Sequence, residues 1–118
     1  MELYLAPLEG ITTYIYRNTH AELFGGFDAY YAPFIVPTDN EKLSVKSLRD
    51  ILRINNQVKP KVQVMCTTWT SFMKFVEKAK AIGHDEVNLN LGCPSGTVVK
   101  KSRGSGALRD LGTLDDML

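Results

Sequence analysis

The chain is poor in the residues that build metal centres and disulfide scaffolds. It has two cysteines, Cys66 and Cys93, and two histidines, His20 and His84, in 118 residues. Neither histidine is spaced with a cysteine as zinc requires, so no metal site is expected. Two lone thiols make no disulfide framework, and a reducing cytoplasm is the simplest compartment. No apolar run approaches the roughly 18 residues of a membrane span. The N-terminus carries Glu2 and no basic stretch, unlike a secretory signal. A net charge of +1 provides no global basic field that would point to nucleic acid. Low-complexity segments, linkers and repeats beyond a strand–helix period are also missing. What is left is one ordinary globular domain, its 44% hydrophobic content sufficient for a real core.

The periodicity predicts alternating strands and helices. Leu3 to Ala6 reads as a buried strand ending at Pro7. After the loop Pro7-Leu8-Glu9-Gly10, Thr12 or Thr13 can cap a helix with Ile15, Thr19 and Leu23 at helical spacing. Tyr16 and Phe24 lie beside that stripe, and Gly25-Gly26 ends it. Asp28 to Ala32 is a second strand, followed by a long loop through Pro37-Thr38-Asp39-Asn40. Ser44 caps a second helix with Val45, Leu48, Ile51 and Leu52 on one face. Lys61 to Cys66 is a third strand. Thr70 or Ser71 starts a third helix whose stripe is Phe72, Phe75, Val76, Ala79 and Ile82, stopped by Gly83. Val87, Leu89 and Leu91 alternate with Asn88 and Asn90 in a fourth strand. A loop rich in Gly and Lys then leads to Thr113-Leu114-Asp115-Asp116, a capping-box variant that starts a fourth helix. The order β-α-β-α-β-α-β-α implies an α/β fold with parallel pairing, either an open sheet or half of an eight-stranded barrel. No G-x-G-x-x-G follows the first strand, which weakens the dinucleotide-binding open sheet.

Unusual groups collect at the C-terminal ends of the strands, where strand–helix folds build their chemistry. Pro7, Leu8 and Glu9 follow the first strand, Gln63 lies within the third, and Asn90 and Cys93 end the fourth. A buried amide left unbonded costs about 1–3 kcal/mol. Gln63 therefore either bonds to backbone or water, or meets a flat polar ligand with both donors and acceptors. Asn88 and Asn90 raise the same alternatives, and three amides on one interior favour a ligand. Cys93 is either a small apolar residue in a tight turn or a thiol presented to that ligand. Lys100, Lys101 and Arg103 form either a solvated face or a phosphate contact beside the thiol. Trp69, Tyr30 and Tyr31 read as packing residues, His20 and His84 as surface residues, and Cys66 as a core thiol.

These residues together resemble the flavin-dependent tRNA-dihydrouridine synthases. Ala6-Pro7-Leu8-Glu9-Gly10 is similar to that family's opening A-P-M-x-G. Gln63 matches on the third strand. The most specific part is Asn90-Leu91-Gly92-Cys93-Pro94 followed by Lys101-x-Arg103-Gly104-x-Gly106-x-Leu108. The resemblance covers the whole chain and corresponds to roughly the first third of a family member. It departs at Leu8, which replaces the usual Met with similar volume, and at Ser102, where Gly is common.

The resemblance implies an FMN-binding (β/α)8 TIM barrel, of which residues 1–118 would supply the first four βα units. The C-terminal half of the barrel and a helical tRNA-binding domain would lie outside them, with the remaining flavin contacts and a phosphate site. It further implies NADPH or NADH as reductant, hydride transfer from flavin N5 to C6 of a uracil flipped out of tRNA, and a cysteine that protonates C5. By motif position Cys93 is that proton donor. Pro7, Leu8, Glu9, Gln63 and Asn90 would contact the flavin, with Asn90 also near the uracil. Lys100, Lys101 and Arg103 would lie near the tRNA or the mouth of the site. An ordinary cysteine thiol titrates near 8.5 and so holds a proton to give at neutral pH, and a base must leave its stack to be reached. Two other readings remain open. One is a flavin barrel acting on a free pyrimidine, as dihydroorotate dehydrogenases do. The other is a non-catalytic half-barrel whose open strand edges make it self-associate.

Overall fold

The computed structural model describes residues 1–37 and 42–117. Among the described residues four short strands, β1 (Tyr4–Leu5), β2 (Ala29–Tyr30), β3 (Val62–Val64) and β4 (Val87–Leu89), alternate with helices. The helices are α1 (Tyr14–Leu23), α2 (Val45–Ile51), α3 (Trp69–Ala81), α4 (Gly96–Val99) and α5 (Leu111–Asp115). β1 pairs with β2 and β3 with β4, both in parallel. Parallel bridges from Tyr31 to Lys61 and from Ile35 to Val64 join the two pairs. The chain therefore lays its strands side by side in sequence order, and every strand-to-helix loop leaves from one edge of the array. The expected loop through Pro37-Thr38-Asp39-Asn40 falls partly outside the described residues.

The core explains why β3 and β4 form where they do. Val62 and Val64 are buried with Phe75 and Ala79 of α3, and with Ala32, Ile35, Ile51, Cys66 and Met117. Val87 and Leu89 of β4 pack against this cluster from the edge. The period of two then turns Gln63, Asn88 and Asn90 to the opposite face, away from the helix. Thr68 caps α3 by accepting from the Ser71 N–H, so the helix begins before the expected Thr70 or Ser71. Of the expected stripe, Phe72, Phe75, Ala79 and Ile82 face the core, whereas Val76 is only half-buried and lies outside it. Gly83 ends the segment at φ +95°, a conformation costly for residues with a Cβ.

Elsewhere the expectations need correction. α1 is helical, but Ile15 and Leu23 are 60% and 67% exposed, and its buried residue is Arg17. Arg17 donates to the Thr12 carbonyl at 2.5 Å, to Asn56 Oδ1 at 2.7 Å, and to the Asp50 carbonyl. A charged side chain thus occupies the place where the pattern demanded an apolar one, because three oxygens converge there to receive it. Val45, expected on the buried face of α2, is exposed. The fourth helix starts earlier than Thr113: Asp110 caps α5, with Oδ1 accepting from the Thr113 N–H at 3.1 Å. The Gly- and Lys-rich loop is partly structured, holding α4 and a 3-10 run over Gly104–Arg109.

Both histidines also depart from surface roles. His20 is half-buried among Tyr16, Phe24, Phe27 and Tyr30, with ring centroids 5.0–6.0 Å away. His84 is buried, and its Nε2 bonds to the Ile51 carbonyl at 2.9 Å. Burial lowers the His84 pKa below the usual imidazole value, only partly offset by that bond. Below about pH 6.5 the unfolded chain takes up a proton at His84 that the folded chain resists. Stability attributable to His84 is therefore complete above that pH and falls as the solution is acidified. Urea midpoints measured from pH 7.5 to 5.5 will decline in the wild type and decline less in His84→Gln.

Candidate active site

The loop after β4 is fixed from both sides of Cys93. On one side, Asn90 Oδ1 accepts from the backbone N–H groups of Gly92 and Cys93, each at 3.1 Å. On the other, the Cys93 carbonyl accepts from the Ser105 N–H at 3.0 Å and from Ser105 Oγ at 3.1 Å. Cys93 is held by its main chain while its half-buried side chain enters none of these bonds. Two glycines bring Ser105 this close. A Cβ on Gly104 would stand 2.6 Å from the Cys93 carbonyl oxygen, and one on Gly106 would stand 2.7 Å from that of Val99. Only glycine fits at either position, and Gly104 also has φ +55°. The sequence presents Gly104-Ser105-Gly106 as a trailing motif, but nothing in it tells that Ser105 anchors Cys93.

Behind the loop, the three amides form a single row. Asn90 Nδ2 donates to Gln63 Oε1 at 2.9 Å, and Gln63 Nε2 donates to Asn88 Oδ1 at 2.6 Å. Gln63 and Asn88 meet because they are register partners of β3 and β4. The amides satisfy one another and still keep hydrogen-bonding capacity: one Nε2 proton of Gln63, one Nδ2 proton of Asn90 and both Nδ2 protons of Asn88. The row is thus a ready polar wall for a planar ligand with mixed donors and acceptors.

Pro7, Leu8 and Glu9 leave the C-terminal end of β1, the same edge of the array. Thr12 Oγ1 accepts from the Leu8 N–H at 2.8 Å and donates back to the Leu8 carbonyl at 3.2 Å. This tightens the loop and leaves the Leu8 and Glu9 side chains exposed. Thr12 is thereby a loop staple, while Thr13 stands at the cap position of α1 without a side-chain bond. Lys100 and Lys101 are exposed at the end of α4. Arg103 differs from them: it is half-buried, and its Nε is buried without a partner. It lies close enough to Cys66 to favour the thiolate there, yet burial dominates and pushes that thiol up to about 11. Cys66 is accordingly an inert core thiol, as expected.

Ser102, between the lysines and Arg103, has φ +51°. An L-residue carries a penalty there that glycine escapes. Ser102→Gly will raise stability by about 0.5–1 kcal/mol after allowing for glycine's greater freedom when unfolded, read as a higher thermal midpoint. An unchanged or lower midpoint would contradict this account.

Among the described residues no helix is long and apolar enough to cross a membrane, and no cluster of His, Cys, Asp and Glu could hold a metal ion. No curated protein matches the chain. A family model described as dihydrouridine synthase matches residues 4–118. That match spans the β1 loop, the amide row, Cys93 and the glycine-backed loop together, and the chain belongs to the dihydrouridine synthase family.

Proposed function

We propose that residues 1–118 are the flavin-facing first half of the barrel of a tRNA-dihydrouridine synthase, a cytoplasmic enzyme using NADPH or NADH. The observation that carries this reading is the Asn88–Gln63–Asn90 amide row ending on the main chain of Cys93. The unspent donors of that row suit the edge of a flavin ring. Pro7, Leu8 and Glu9 would hold FMN from the neighbouring loop, and Gln63 and Asn90 would hydrogen-bond to it. When bound, FMN supplies the hydride for C6 of the uracil, and the nicotinamide cofactor renews it.

The remaining steps belong to this chain's own residues. Cys93 Sγ gives its proton to C5 as the C5=C6 double bond becomes single, and the thiol is reprotonated from solvent. Asn90 and Ser105 would hold the Cys93 main chain during this transfer, leaving the side-chain torsion as the thiol's remaining freedom. Lys100 and Lys101, exposed at the loop tip, would meet the tRNA backbone. Arg103 would act from behind the loop rather than at its surface. The test follows deuterium from labelled reduced flavin in a protein carrying the complete barrel. Deuterium at C6 of tRNA uracil, with none in free orotate-type pyrimidines, supports the reading. The reverse pattern would assign the site to a free pyrimidine.

A second reading concerns the 118-residue chain alone. Leu3, Tyr4, Ile15, Leu23 and Phe24, just before or on β1 and on or just after α1, are each 45–78% exposed. An apolar surface of that kind favours association between copies. Light scattering of the purified chain will give a mass above 13.2 kDa. A monomer with stoichiometric yellow chromophore would contradict it.

A further inference from the structure

We propose that Asn88 is a positioning residue for Cys93, acting through Gln63 and Asn90 by fixing which way their amides face. Only the oxygen of the Asn90 amide can accept from the N–H groups of Gly92 and Cys93. Its Nδ2 must then face Gln63, and only the Gln63 oxygen can receive it. Gln63 is left pointing its Nε2 at position 88, inside a site where it is itself 8% exposed. Whatever stands at 88 must offer an acceptor, and Asn88 Oδ1 does. The direction set at the loop is therefore maintained only if position 88 agrees with it.

Removing that acceptor strands a nearly buried donor. If Gln63 turns its amide over, its Nε2 faces Asn90 Nδ2, donor against donor. If Gln63 swings away, Asn90 Nδ2 loses its partner. Either relief frees Asn90 to abandon the two N–H groups that hold Cys93. The catalytic meaning of this rests on the reading of Cys93 as proton donor. The positioning itself is read on the thiol, so the two can fail separately.

The experiment measures iodoacetamide alkylation of Cys93 in the 118-residue chain by peptide mass spectrometry, with buried Cys66 as the internal control of fold. Asn88→Ala will speed Cys93 about fivefold or more while Cys66 stays slow, and Asn88→Asp, which keeps an acceptor, will remain within about twofold of wild type. In an Asn90→Ala background, Asn88→Ala will add nothing further. A Cys93 rate unmoved by Asn88→Ala, an Asn88→Asp as disruptive as the alanine, or additive effects in the Asn90→Ala background would each overturn the proposal. If Asn88→Ala also exposes Cys66, Asn88→Val, better suited to a strand, is read in its place. Exposure of Cys66 in both would make Asn88 a fold element and equally overturn it.

Discussion

Cys93→Ala lowers turnover of the enzyme carrying the complete barrel by about 10²–10⁴-fold, the usual contribution of a positioned general acid, while flavin remains bound. The substitution isolates the thiol because the residue's anchoring is main-chain. The Cys93 N–H goes to Asn90 Oδ1 and the Cys93 carbonyl receives the Ser105 N–H and Oγ. Alanine retains all of these bonds, so the loop and the amide row stay as they are. The loss corresponds to about 3–5 kcal/mol of transition-state stabilisation. Steady-state dihydrouridine formation and flavin absorbance of the purified variant are the two measurements. Loss of flavin with the activity would make Cys93 mainly structural, and retention of full activity would remove it as the proton donor.

Arg17→Met destabilises the folded chain by about 2–6 kcal/mol, because the Thr12 carbonyl and Asn56 Oδ1 each lose the partner that offsets their burial. The Asp50 carbonyl is less affected, since Asn56 Nδ2 still donates to it at 3.2 Å. Burial has already pushed the Arg17 guanidinium down to about 10, with the Asp50 charge opposing the shift. The charge is therefore expensive to bury, and a well-packed apolar replacement recovers part of that cost. Which effect wins is decided by the oxygens left behind, which methionine cannot satisfy. A domain of this size is stable by about 5–15 kcal/mol, so the loss is a large share of the total. Urea denaturation will show the midpoint shift, and a change below about 1 kcal/mol would mean that desolvation relief outweighs the lost bonds.

Much of the fold was legible because local physical chemistry sets it. The stripe of α3, its stop at Gly83, the Ser44 cap of α2 and the parallel strand order all follow from periodicity and turn residues. Patterning marked Gln63, Asn90 and Cys93 as unusual groups on or after strands, and the roles proposed for them came from the resemblance of their motif to a known family. Helix α1 was legible as a helix but not in its orientation. Ile15 and Leu23 repeat at the right spacing, yet the face turned inward is the one carrying Arg17. Hydropathy counts side chains and has no knowledge of carbonyl oxygens converging from residues 33 and 39 positions away. His84 was misread similarly, since its partner, the Ile51 carbonyl, is distant in the chain.

The sequence by itself determined the family, the alternation of strands and helices, and the presence of amides and a thiol at one strand end. These depend on residues that are neighbours or near-neighbours in the chain. Only the tertiary structure decided that Gln63 joins Asn88 to Asn90 in one directed row. It also decided that Ser105 reaches the Cys93 carbonyl through a gap that two glycines leave, and that Arg103 turns inward while Lys100 and Lys101 stay out. Each of those contacts depends on strand register or on close backbone approach, and neither is set until the core has packed β3 and β4 against α3.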